Sequence, residues 1–90
     1  MKEEIKTIPA IQYTEITYNL PGETDGKYTV GDIVKTYWKS GGGTSGEIIE
    51  IFISEHRNIY MVKVKNGWCT HPDHGDTIEV IKKYQHDKAL

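Results

Sequence analysis

The densest group of chemically able side chains in this sequence is Cys69, His71, Asp73, His74 and Asp76. Zinc prefers thiolate and imidazole donors, and the run Cys-x-His-x-x-His supplies three of them from one short stretch. Structural zinc sites generally pair two knuckles far apart in the chain, and no second knuckle is present. Cys69 with His71 or His74 also has the composition of a nucleophile with its base. Such chemistry needs an oxyanion site and a substrate cleft as well, for which a domain this small has little room. The plain alternative is a polar loop, since Pro72, Asp73 and Gly75 are turn formers. The expectation is no catalytic residue and no cofactor, with Cys69, His71 and His74 as the reserve candidates for a metal.

A second group suits recognition rather than reaction. Tyr37, Trp38, Tyr60 and Trp68 are aromatic, and Lys63 and Lys65 lie close to Trp68 in sequence. Cations around an exposed ring suit a single-stranded nucleic acid, whose bases stack while its phosphates pair with lysine. They suit an acidic protein surface equally well. Against this stands a solvated strand face on which lysine stems cover the indole. The run Gly41-Gly42-Gly43-Thr44-Ser45-Gly46 lacks the lysine and the following helix of a phosphate loop. It reads as a mobile connection over Ser40 to Gly46, where a partner could touch Gly42 and Gly43.

The elements that must position these residues are short and β-rich. Ile33 to Trp38, Glu47 to Ser54, Ile59 to Lys65, Trp68 to Thr70 and Thr77 to Ile81 read as strands. Asn66-Gly67 is a strong hairpin signal. A two-residue turn there would pair Val64 with Cys69 and Lys63 with Thr70, sending Cys69 into the core and Trp68 outward with Lys63 and Lys65. A three-residue loop with a bulge would reverse that assignment. Tyr60, Val62 and Val64 share the core face. Ile11 to Leu20 alternates but shifts parity between Tyr13 and Ile16, which predicts a bulge or bend in an added strand or arm. Lys2 to Ile8 and Lys82 to Ala89 are expected to form at most frayed helical turns.

Five short strands with a long first connection predict an all-β, small five-stranded SH3-like barrel. The stretch Val30 to Ile51, with Gly31-Asp32, Val34, Trp38, Gly41 to Gly43 and Gly46, resembles hypervirulence-associated Tudor-like domains. That resemblance implies a Tudor-like form of the barrel, and aromatic cages of the kind such barrels use to hold methylated cations. The organisation expected is an N-terminal arm or additional strand over 1–27, the barrel over 28–84 and a flexible tail over 85–90.

Ninety residues allow one domain, and a net charge of −2 from 11 basic and 13 acidic residues gives no basic excess of the kind nucleic-acid binders carry. A single cysteine favours a reducing compartment, and no apolar run is long enough to cross a bilayer or serve as a signal-peptide core, so a cytoplasmic location without membrane association is expected. The expected function is non-catalytic binding of a protein partner through Trp68, Lys63, Lys65, Trp38, Tyr37, Gly42 and Gly43. RNA or single-stranded DNA binding is the alternative, metal binding at 69–76 the second alternative, and homodimerisation through an edge strand a further expectation.

Overall fold

Alternating β-branched residues and glycine-marked turns fold the described part of this chain mainly into strands. The computed structural model describes residues 2–8 and 11–85 (for 6–8 and 11–13, the backbone alone). The strands are β1 (Lys2–Ile8), β2 (Ile11–Tyr18), β3 (Ile33–Tyr37), β4 (Gly43–Ser54), β5 (Ile59–Val64), β6 (Cys69–Thr70) and β7 (Thr77–Lys82). A 3-10 turn, Pro72–His74, precedes β7. No helix among the described residues is long and apolar enough to cross a membrane.

All strand pairs are antiparallel and belong to one seven-stranded sheet, with the order β1-β2-β4-β3-β7 and with β5 and β6 continuing from the other edge of β4. The twelve-residue β4 organises it. Its first part, Gly43 to Glu47, pairs with β3, and its last part, Ile51 to Ser54, pairs with β2. From Ile48 onward its opposite edge pairs with β5, with a register shift between Ile48 and Glu50. Such a shift bends a strand and lets it serve two differently oriented neighbours.

Five of these strands lie where the sequence places them, in an open antiparallel sheet. Among the described residues β6 and β7 do not pair. β6 is only two residues long, and Pro72 follows it almost at once, with no N–H to offer a ladder. Both N-terminal expectations are corrected. Lys2 to Ile8 is a strand rather than a frayed helical turn, because β2 supplies its hydrogen-bonding partner. The β1–β2 ladder also runs from Lys2↔Thr17 to Ile8↔Ile11 without a bulge. The parity change in β2 falls instead where the strand enters the main sheet: Glu15 to Tyr18 pair with β4, and Ile11 to Thr14 with β1 alone. Of the tail expected over 85–90, residues 86–90 lie outside the described residues.

The core comprises Val30, Val34, Ile48, Ile51, Val62 and Val64, none more than 3% exposed. Tyr18, Tyr28, Tyr60, Ile78 and Val80 pack around it half-buried. At roughly 1.5–3 kcal/mol for each buried Val or Ile, so few side chains leave a modest margin against chain entropy, and polar links matter accordingly. One such link joins distant parts of the chain. The buried Asp32 accepts the Thr29 N–H at 3.0 Å through Oδ2 and the Tyr84 N–H at 2.7 Å through Oδ1. A Cβ on Gly31 would stand 2.3 Å from the Tyr84 ring, so Gly31-Asp32 is the buckle for the residues that follow β7.

Candidate functional site

The β5–β6 turn decides which residues share a surface. Lys63 pairs with Cys69 and Val62 with Thr70, while the Val64 N–H donates to the Trp68 carbonyl at 3.0 Å. The loop is therefore Lys65-Asn66-Gly67: the Gly67 N–H closes the turn onto the Val64 carbonyl at 2.8 Å, and Gly67 takes φ of 95°. This is the three-residue hairpin in which glycine occupies the left-handed position. It reverses the faces expected from a two-residue turn. Thr70, fully buried, takes the core position expected for Cys69, which follows Lys63 to the half-exposed side. Trp68 stands across from Val64, one position out of step with the Lys63–Cys69 pair.

At the rim of the sheet Trp68 meets Trp38. Their ring centroids lie 5.2 Å apart with the planes tilted by 55°, within the range of favourable aromatic pairs. Trp38 is half-buried, and its Nε1–H donates to the Cys69 carbonyl at 3.1 Å, which locks the ring in place. Trp68 remains 59% exposed. Asn66 ties the two hairpins together. Its Oδ1 accepts the Trp68 N–H at 3.0 Å, and its Nδ2 donates to Thr44 Oγ1 at 2.8 Å. Sequence reasoning saw Asn66 only as a turn former; nothing local to it signals the link to Thr44.

The glycine run has a different role from the mobile loop expected over 40–46. Gly43 to Gly46 belong to β4, and the turn between the first two hairpin strands shrinks to Trp38 to Gly42. The Gly41 N–H donates to the Trp38 carbonyl and the Trp38 N–H to the Gly42 carbonyl, both at 2.9 Å. A Cβ on Gly43 would lie 2.0 Å from the Thr36 carbonyl oxygen, so only glycine allows the strands to approach there. Gly42 lies against the Trp38 ring and also borders a groove of about 530 Å³ on the opposite face, lined by Lys35, Thr36, Tyr37, Gly43, Thr44 and Ser45. Tyr37 is exposed there, with its hydroxyl 3.4 Å from Glu79 Oε1 and Lys35 Nζ 5.7 Å from the ring centroid. Of the expected binding residues, the fold thus gathers Trp38, Trp68 and Gly42 on the rim and Tyr37 and Gly43 at the groove.

The 71–76 segment is held by Asp76. Its carboxylate accepts the Lys39 N–H at 2.8 Å and the His71 N–H at 2.9 Å. These backbone donors, His71 first and then Lys39, hold its pKa below the ordinary carboxylate range. Asp76 is thereby a structural clip rather than a ligand. Elsewhere, Tyr60 donates to Asp25 Oδ2 at 2.5 Å; burial first, and then this bond, raise the phenol far above its usual range. Compared with known proteins, the chain matches no family model, no curated protein and no solved structure.

Proposed function

We propose that this chain is a non-catalytic binding module that recognises a protein partner through the Trp38–Trp68 rim and the adjoining 40–46 segment. In this reading β3 to β7 form an SH3-like unit of Tudor-like type, extended by the β1–β2 hairpin. The strand order and the 3-10 turn before the last strand support that unit. The observation that carries the function is the exposed Trp68 indole propped against a fixed Trp38. A preordered aromatic pair offers large contact area at small entropic cost, which is what contact hot spots require. The Trp38 N–H is already engaged, so Trp68 supplies the accessible polar N–H of the pair.

A protein is favoured over a nucleic acid because the chain carries a net charge of −2, with no basic excess. Replacing Trp68 with alanine should abolish capture of the partner while lowering the melting temperature by no more than about 10 °C, the effect of losing one aromatic pair. Capture that survives the change would overturn the proposal. Binding to oligonucleotides that falls steeply with salt would transfer the surface to nucleic acid.

A further inference from the structure

We propose that His71, Asp73 and His74 bind one divalent transition-metal ion of the zinc class. This site is separate from the Trp38–Trp68 surface, and neither depends on the other. One ligand atom from each of the three residues lies within 4.8 Å of the others. Bonds of about 2.0–2.2 Å in a tetrahedral arrangement need donors about 3.4 Å apart. The movement this requires falls mainly on His74, whose side chain is exposed and whose Nε2 is already 3.6 Å from Asp73 Oδ2. The His71 and His74 rings are stacked, 5.8 Å apart between centroids and 20° from parallel, so the exposed His74 ring must turn to aim its in-plane nitrogen at a shared ion.

What makes the group a site rather than a chance cluster is the fixed backbone beneath it. Asp76 holds the His71 N–H, the His74 N–H donates to the His71 carbonyl at 2.9 Å, and the Gly75 N–H closes the turn onto Pro72 at 3.3 Å. The three donors thus leave one rigid turn, so little chain entropy is lost when an ion arrives. His71 also carries an enclosed ring nitrogen, Nδ1, without a hydrogen-bond partner. Because Nδ1 is enclosed, an ion would meet this ring through Nε2, leaving Nδ1 to carry the ring proton. Two imidazoles and one carboxylate favour Zn²⁺, Ni²⁺, Co²⁺ or Cu²⁺ over the oxygen-seeking Mg²⁺ and Ca²⁺. Three protein donors leave a fourth position for water. Cys69, counted with this group on sequence grounds, lies outside it.

Titration calorimetry of the full chain with ZnCl₂, and separately with NiCl₂, tests the site. The expected result is saturable binding of one ion per chain, weakened about tenfold or more in His74→Ala and in His71→Ala and unchanged in Cys69→Ser. Amide shifts on adding Zn²⁺ should centre on residues 71–76. His74 is exposed and makes no core contact, so its alanine variant remains folded and keeps the test decisive. Absence of saturable binding, binding unaffected by His74→Ala, or binding lost in Cys69→Ser would each overturn the proposal.

Discussion

At the scale of single residues, polar side chains act mainly by holding backbone. Asp76 joins Lys39 to His71, and Asp32 joins Thr29 to Tyr84. Because Asp76 titrates below its unfolded value, its stabilising effect is complete above the ordinary carboxylate range, near pH 4, and is lost as the pH falls through the folded value. Asp76→Asn should therefore melt below the parent at pH 7. That gap should close as the solution is acidified below about pH 4, a trend that thermal denaturation across pH would follow. An equal gap at pH 7 and pH 2.5 would contradict this role. Asp32→Ala leaves two part-buried backbone donors without their acceptor and should cost about 1 kcal/mol in urea unfolding for each. In the sequence, Gly31-Asp32 was visible as a tight bend and as part of a family resemblance. Its partner Tyr84 lies 52 positions away, and no local pattern points to it.

At the scale of elements, the hairpins show what a sequence can and cannot specify. The alternation of Tyr60, Val62 and Val64 is a statement about burial, and the buried Val62 and Val64 agree with it. The Asn66-Gly67 signal marked the turn correctly but not its length, and one residue of difference moved Cys69 and Thr70 to opposite faces. Periodicity of two makes every such slip exchange the two sides of a strand. The glycine run misled for a related reason: glycine serves both loose loops and strands that approach closely, and Gly43 does the second. Gly43→Ala should therefore lower stability by about 1–3 kcal/mol, since the Cβ would press on the Thr36 backbone. A mobile loop at this position would tolerate the change, and chemical denaturation distinguishes the two.

At the scale of the whole molecule, the β1–β2 hairpin covers an edge that would otherwise be open. β2 pairs with the end of β4, and Tyr18 packs on the core. Removing residues 2–20 would bare the β4 edge beside Ile51, an invitation to strand pairing between chains. Light scattering of the truncated chain should show aggregation, whereas a stable, monodisperse monomer would deny the hairpin that covering role. The all-β character and five strand positions were readable from alternation and turn residues, because those signals are local. The open sheet and the meeting of Trp38 with Trp68 follow from long-range register, which no short window contains. On that meeting rests the proposal that this is a protein-binding module. Its most direct test is a quantitative pull-down from lysate of the native host, comparing the parent chain with Trp68→Ala at equal folded concentration. The account predicts specific partners enriched by the parent and lost from the variant. The same partners retained at equal abundance by Trp68→Ala would contradict it.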